Sequence, residues 1–169
     1  MKKIIFLDVN GVMNAKAFLG NKFGGTSRIE YRCARMLDRI VRETGCKIVI
    51  SSSWRTSGMA TLLKDFEEAP VAKETRDAII SVTPRLWGLE RGYEIWSYLL
   101  EDPEIDRFVI IDNRKDMAGL ESHLAQTNDD WGLIPSLGER VIRMLNSKDS
   151  YDGCACSCCA NAPRIQMVS

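Results

Sequence analysis

The sequence lacks a long apolar run. Its N-terminal apolar stretch, residues 4–7, contains four residues and stops at Asp8. A secretory signal needs an apolar core of about 7–15 residues, and a membrane-spanning helix needs about 20. We therefore expect a cytoplasmic protein with no membrane partner, in which the cysteine thiols stay reduced.

The sequence also lacks an excess of charge of either sign. Its 23 lysines and arginines balance its 23 aspartates and glutamates, and the sequence pI is about 6.6. This balance argues against a dedicated nucleic-acid-binding protein, although it is compatible with an enzyme that contacts one end of a strand. The single histidine, His123, has apolar neighbours, which indicates a packing role.

Internal repeats and interior low-complexity linkers are absent as well. The chain of 169 residues, 45% apolar and 27% charged, is typical of one soluble domain with a substantial core. We place this domain at residues 1–146, because apolar periodicity ends there. Residues 147–169 form a tail that we expect to be unstructured, with soft-metal binding as the alternative for its clustered cysteines, Cys154, Cys156, Cys158 and Cys159.

Three short apolar runs are each followed by a polar residue. The runs are residues 4–7, 48–50 and 108–111, and the residues that follow them are Asp8, Ser51 and Asp112. Short apolar runs that end abruptly predict strands buried on both faces. The simpler alternative for the first run is a strand that merely ends in an Asx turn.

Helical periodicity separates these runs. Apolar residues at three- and four-residue steps predict helices over residues 30–44, 57 (or 58) to 66, 93–101 and 136–145. Weaker signals predict strands at 79–84, where a proline closes the strand, and at 123–126. Alternating strands and helices indicate an α/β fold, a Rossmann-like three-layer sandwich with a mainly parallel sheet. The pattern leaves the structure of residues 67–90 open.

The polar residues at the strand ends suggest a metal-dependent chemistry. In a parallel sheet, Asp8, Ser51 (or Ser52) and Asp112 would meet at the carboxyl edge, with Asp116 four residues further along. Crowded carboxylates repel one another unless a cation lies among them, and oxygen ligands suit Mg²⁺. A carboxylate beside Mg²⁺ and cationic side chains can attack phosphorus and form an aspartyl phosphate.

These segments resemble the haloacid dehalogenase (HAD) superfamily of aspartate-nucleophile phosphohydrolases. Residues 8–12, 50–51 and 112–116 are similar to its first, second and fourth motifs. The longer strings at residues 6–14 and 48–55, with Arg91-Gly92 and Gly132-Leu133, resemble small phosphatase-like domains found alone or fused to RNA-repair enzymes. The resemblance covers residues 3–146 and implies a HAD-like fold with a minimal cap.

The resemblance implies a nucleophile and a metal site. Asp8 would be the nucleophile, and Mg²⁺ would be held by Asp8, the backbone carbonyl of Asn10, Asp112 and Asp116. Asn10 departs from the pattern, because hydrolases of the superfamily usually carry a second aspartate there as acid and base. An amide cannot transfer a proton in that way, and the loss of acid–base catalysis costs about 10²–10⁴-fold. The chain is therefore expected to be slow, specialised or inactive.

The resemblance also implies a phosphate site. Ser51 or Ser52 would bind the phosphoryl oxygens, and the adjacent serines leave the register open. Arg91 is the best replacement for the superfamily's lysine, and Arg55 is a second phosphate-binding candidate. Arginine keeps the positive charge and adds a bidentate donor fork.

The short connection at residues 15–29 leaves no room for a large cap domain between the first two motifs. An open crevice cannot enclose a small metabolite well, so we favour a phosphorylated RNA or DNA end, or a protein side chain, over a sugar phosphate. The expected function is Mg²⁺-dependent phosphohydrolysis or phosphoryl transfer through Asp8, on a nucleic-acid end or nucleotide phosphate. The alternatives are a catalytically inactive module that binds phosphorylated ends and a phosphoprotein or small-molecule phosphatase. Three tryptophans are expected in the core or in a lid rather than as base-stacking platforms: Trp87, Trp96 and Trp131.

Overall fold

The computed structural model describes residues 1–16 and 28–147. The strands in these ranges are β1 (Lys2–Leu7), β2 (Lys47–Ile50), β3 (Ile79–Val82), β4 (Ile105–Asp112) and β5 (Leu124–Gln126). The α-helices there are α1 (Tyr31–Thr44), α2 (Met59–Glu67), α3 (Lys73–Asp77), α4 (Arg91–Glu101) and α5 (Pro135–Asn146), and short 3₁₀ helices lie at Ser53–Ser57 and Glu121–His123. None of the helices in the described ranges could span a lipid bilayer.

The strands form one sheet in the order β3-β2-β1-β4-β5, and every neighbouring pair is parallel. β1 lies at the centre, where Leu7 pairs with Ile50 on one side and with Ile111 on the other. The residues that follow these three positions therefore lie side by side at the carboxyl edge. The predicted α/β fold with a parallel sheet is confirmed.

Helices cover both faces of the sheet. Ile5 and Leu7 of β1 point into the larger core, under α1, α2 and α5. Ile4 and Phe6 point to the opposite face, where α4 contributes Ile95 to a smaller core. Because β1 is buried on both faces, its sequence is a continuous apolar run rather than an alternating one.

Most predicted elements are present with shifted ends. α4 begins at Arg91, two residues before the predicted start, because the Arg91 N–H donates to Asp116 Oδ2 at 3.2 Å, a cap from 25 positions away. α3 lies in the stretch that the sequence left open, and its one buried side chain, Thr75, gives no apolar periodicity. His123 belongs to a 3₁₀ helix rather than to β5, and its imidazole stacks on Phe108 with ring centroids 4.1 Å apart. The packing role expected for this histidine is confirmed.

Two of the sequence predictions lie outside the described residues. The cysteine-rich tail falls in residues 148–169, and most of the connection after the first motif falls in residues 17–27. The domain boundary at residue 146 therefore stays a prediction.

Candidate active site

The carboxyl edge of the sheet brings the predicted strand-end residues together. Asp8 is 4% exposed and Asp112 is fully buried. The N–H of Asp8 donates to the carbonyl of Ile111, and the N–H of Ser51 donates to the carbonyl of Leu7, each at 2.9 Å. These bonds continue the ladder one step beyond the strands, so the three strand ends lie level.

The Arg91 guanidinium lies between the two carboxylates. Its Nη1 is 3.7 Å from Asp8 Oδ1 and 3.4 Å from Asp112 Oδ2, and it also donates to the backbone carbonyl of Ser51. Arg91 is the first residue of α4, and its side chain is 6% exposed. A buried charge is costly unless it is paired, so the guanidinium and the two carboxylates stabilise one another. The helix start thus places a cation directly beside the predicted nucleophile.

Glu94 holds a second buried arginine next to the first. Its Oε1 lies 2.6 Å from Arg55 Nη2, and its Oε2 lies 3.6 Å from Arg91 Nε. Arg55 also donates to the backbone carbonyl of Ser52 at 2.7 Å. Burial lowers the pKa of Arg55, while the Glu94 carboxylate opposes that effect. Sequence reasoning missed Glu94, although its position three residues after Arg91 on a predicted helix was an available signal.

The structure separates the roles of the two candidate serines. Both are fully buried. The Ser51 hydroxyl has no hydrogen-bond partner among the described residues, whereas Ser52 Oγ accepts from the N–H of Trp54 at 3.4 Å and caps the following 3₁₀ helix. Ser51 therefore has the hydroxyl that is available to a ligand.

The surroundings of Asp112 raise the pKa of its carboxyl group. Burial, followed by the negative charge of Asp8, raises its pKa to about 6, while Arg91 opposes both effects. Its Oδ1 accepts from the N–H of Arg114 at 2.9 Å. Its Oδ2 has no hydrogen-bond donor among the described residues and only the 3.4 Å ion pair with Arg91. Two facing carboxylates with one shared cation are an arrangement that a further cation would stabilise.

Asp116 is engaged elsewhere. Its Oδ1 accepts from Arg114 Nε at 2.8 Å, and its Oδ2 caps α4 through the N–H of Arg91. Burial pushes the pKa of Asp116 upward, but these hydrogen bonds bring it below its usual value. Among the described residues, no group of three or more acidic, histidine or cysteine side chains could hold a metal ion. The three carboxylates expected together are thus a pair, Asp8 and Asp112, and the role of Asp116 at the metal stays a prediction.

The segment between Asp116 and α4 is fixed by a backbone contact. The N–H of Gly92 donates to the Asp116 carbonyl at 3.0 Å. A Cβ at position 92 would lie 2.0 Å from the carbonyl oxygen of Met117. Only glycine allows the first turn of α4 to approach the loop after β4 this closely.

Asn10 is exposed, and its side-chain oxygen accepts two hydrogen bonds. Asn10 Oδ1 accepts from Trp54 Nε1 and from Asn14 Nδ2, each at 3.0 Å. Because the oxygen takes two donors, the amide nitrogen of Asn10 is the group left for a ligand. Gly11 follows at φ +73°, and a Cβ there would lie 2.7 Å from Asp129 Oδ1. The hydrogen bond from Trp54 to Asn10 connects the 3₁₀ helix after β2 to the loop after β1.

The comparison with protein families agrees with this geometry. A family model described as "HAD domain in Swiss Army Knife RNA repair proteins" matches residues 4–136. The chain belongs to this family. Comparisons with curated proteins and with solved structures found no match. Membership in the family indicates a phosphatase type of activity for this HAD domain.

A cleft of about 500 Å³ opens beside Arg91 in the HAD domain, part of it open to solvent. Residues 85–89, with Arg55, Arg91, Glu94 and Arg114, line the cleft. Trp87 lies on its rim and is 78% exposed.

Of the three tryptophans expected in the core or in a lid, only Trp96 lies in the core. Trp96 is 7% exposed, whereas Trp87 is 78% and Trp131 is 56% exposed. A core position is therefore wrong for Trp87 and Trp131. Trp87 lies on a loop beside Gly88, which adopts φ +78°, and apolar character alone does not show whether a loop turns inward or outward.

Proposed function

We propose that this HAD domain is a Mg²⁺-dependent phosphomonoesterase that acts through an aspartyl phosphate at Asp8. The observation that carries the proposal is the buried arrangement in which Arg91 lies 3.7 Å from Asp8 and 3.4 Å from Asp112. The substrate we propose is the phosphorylated end of an RNA or DNA strand. The family's occurrence in RNA repair proteins supports this substrate by analogy.

The phosphoryl group would bind between the strand ends and the start of α4. The buried Ser51 hydroxyl would donate to one phosphoryl oxygen, and the guanidinium of Arg91 would donate to another. Arg55 adds positive charge behind them, and Glu94 keeps both arginines in place. Charge-assisted hydrogen bonds of this kind are about twice as strong as neutral ones, so this group of residues favours a dianion.

The chemistry divides into two displacements at phosphorus. A carboxylate oxygen of Asp8 attacks phosphorus, the bond to the strand's ester oxygen breaks, and that oxygen takes a proton from water. Water then attacks the acyl phosphate, which releases inorganic phosphate and restores the Asp8 carboxylate. Arg91 compensates the charge of the phosphoryl oxygens in both steps.

The residues at the strand ends fit a magnesium ion. Mg²⁺ commonly takes one or two carboxylates and completes its octahedral shell with waters and substrate phosphate. Asp8 and Asp112 supply two carboxylates, and Asp112 Oδ2 is buried without a hydrogen-bond donor in the described residues. These two side chains and the Asn10 carbonyl would hold the ion, and Asp116, whose carboxylate also binds Arg114 and the Arg91 N–H, would support its waters. When bound, it would neutralise charge on the phosphoryl group.

Asn10 favours a second candidate function. With Oδ1 held by Trp54 and Asn14, its amide nitrogen can donate a hydrogen bond to a leaving oxygen but cannot give it a proton. A domain that binds phosphorylated ends without turning them over would have this site. The two functions differ in whether Asp8 forms a covalent intermediate.

Phosphate release from a 3′-phosphorylated oligonucleotide and from an activated aryl phosphate, with and without Mg²⁺, decides between them. Asn10→Asp restores a proton carrier, so we expect a gain of about 10²–10⁴-fold. Asp8→Asn in the same background should abolish turnover, and Asn14→Asp, which adds a carboxylate to the same loop, is the matched control. If Asn10→Asp stays inactive on both substrates while the protein still binds the oligonucleotide, the binding function is correct and hydrolysis is wrong.

A further inference from the structure

Trp87 is a large exposed aromatic side chain at the entrance to the candidate active site. It lies on the loop between β3 and α4, and 78% of it is accessible. The guanidinium carbon of Arg85 lies 3.5 Å from the centroid of the Trp87 ring. This cation–π contact covers one face of the indole and holds its orientation, so the opposite face is left open to a planar ligand.

The cleft under Trp87 carries a surplus of positive charge. Four arginines and a single glutamate line it: Arg55, Arg85, Arg91, Arg114 and Glu94. Arg85 has no carboxylate within ion-pair distance in the described part of the chain, and Arg114, 49% exposed, is paired with Asp116. One terminal phosphate would be satisfied by the buried arginines alone. Asp116 compensates the charge of Arg114, so Arg85 is the exposed cation that favours a ligand with a further phosphate beyond the terminal one, and Arg114 lies beside it as a second hydrogen-bond donor.

Arg91 belongs both to the cleft and to the group of residues around Asp8. It lines the cleft and also lies 3.7 Å from Asp8. A ligand whose terminal phosphate reached Asp8 would therefore extend along the wall that carries Arg85, Trp87 and Arg114.

We propose that Trp87, Arg85 and Arg114 form a subsite for the first nucleotides of a single-stranded nucleic acid. A nucleobase stacks on the open face of Trp87, and the neighbouring phosphodiester lies against Arg85 and Arg114. Stacking requires a base that is free of its own neighbours, so an unpaired end binds better than a blunt duplex end. This inference rests on the proposed function, since the terminal phosphate is assigned to Asp8.

The test is equilibrium binding to the Asp8→Asn variant of the whole 169-residue chain, which cannot turn over its ligand. The probes are a 3′-phosphorylated tetranucleotide that contains 2-aminopurine and, as a phosphomonoester without a ring, glycerol phosphate. Trp87→Ala should weaken tetranucleotide binding between about fivefold and a hundredfold, and the loss should exceed that for glycerol phosphate. Trp87→Phe should restore much of the affinity, and Trp131→Ala is the matched control for an exposed tryptophan outside the cleft.

The arginines are tested by the dependence of binding on salt. Each phosphate neutralised on a single strand contributes about 0.7 to the slope of log K against log salt, so Arg85→Gln should reduce the slope by about that amount. Arg35→Gln, an exposed arginine on α1 outside the cleft, should leave the slope unchanged.

Three outcomes would overturn the subsite. The first is an equal loss of affinity for the tetranucleotide and for glycerol phosphate in Trp87→Ala. The second is an equal salt slope for Arg85→Gln and Arg35→Gln. The third is a larger loss of affinity in Trp87→Ala for a phosphotyrosine peptide than for the tetranucleotide. If the tetranucleotide binds through Trp87 but the Asn10→Asp protein never releases phosphate, the subsite stands and the proposed function fails. If phosphate is released and Trp87→Ala binds as before, the proposed function stands and the subsite fails.

Discussion

Four arginines reach the region around Asp8, and they fall into two groups. The side chains of Arg55 and Arg91 are each 6% exposed; Arg55 is paired with Glu94, and Arg91 with Asp8, Glu94 and Asp112. Arg85 and Arg114 lie on the cleft rim, where Arg85 contacts an indole ring and Arg114 is 49% exposed. The buried group is positioned by the fold before any ligand arrives. The rim group can adapt to whatever enters, so the first group suits catalysis and the second suits selection.

Replacing one arginine in each group should give the largest difference in the free energy of unfolding. Arg91→Gln leaves Asp8 and Asp112 facing each other without their cation, and such a loss from a buried ion pair costs about 3–5 kcal/mol. Arg85→Gln removes an exposed side chain and should change stability by about 0.5–1 kcal/mol. Urea unfolding of the metal-free proteins at neutral pH measures both changes. Equal losses would mean that burial does not separate the two groups.

Magnesium should act on the buried region alone. Binding to Asp8 and Asp112 stabilises the folded state, by about 2.7 kcal/mol when free Mg²⁺ is about 100 times its dissociation constant. Asp112→Asn should remove most of this gain, whereas Asp106→Asn, a half-exposed carboxylate elsewhere on β4, should keep it. Thermal unfolding with and without Mg²⁺ measures the effect. An equal rise in Tm for wild type and Asp112→Asn would contradict the metal site.

The two buried serines that follow β2 should differ in what their hydroxyl groups contribute. Ser51→Ala removes the unengaged hydroxyl and should weaken binding of inorganic phosphate by about tenfold. Ser52→Ala removes a weak cap and should lower the free energy of unfolding by about 0.5 kcal/mol, with little change in phosphate affinity. Titration calorimetry and urea unfolding on the same two proteins give both values. If the two effects are exchanged, Ser52 is the phosphate ligand.

The smallest expected effect concerns a titratable group of the smaller core, outside both regions. Burial lowers the pKa of His123, against the opposing influence of the Phe108 backbone. The folded state therefore favours the neutral imidazole, so its contribution to stability is present above the unfolded pKa of about 6.5 and is lost as pH falls below it. His123→Phe keeps the ring stack and should flatten stability over that window. An unchanged pH dependence would show that this histidine is not responsible.

The strand ends could be predicted from the sequence because the physics that sets them is local. An apolar run buried on both faces must stop where a polar side chain appears, and Asp8 and Asp112 appear there. The choice between Ser51 and Ser52 was not local, since adjacent serines have the same pattern. It depends on which hydroxyl caps the next helix.

Asp116 shows where spacing misleads. A separation of four residues from Asp112 suggests one helical turn, which would aim both carboxylates at one point. The residues between them are not helical, and Asp116 turns to Arg114 and to the start of α4. The early start of α4 has the same origin, since its cap comes from another part of the chain. Contacts between distant segments are the part that one sequence does not show.

The glycine at position 92 has a consequence for how the domain could change. Because α4 touches the loop after β4 backbone to backbone, the location of Arg91 depends on main-chain fit and tolerates little variation. The loop that carries Arg85 and Trp87 is held by the Leu86 N–H, which donates to Glu94 Oε1 at 3.2 Å, and by Gly88 at φ +78°. The side chains of Arg85 and Trp87 themselves are exposed and make no contact of this close kind. New substrate preferences could therefore be acquired by exchanging the side chains at positions 85 and 87, with the reaction chemistry inherited intact.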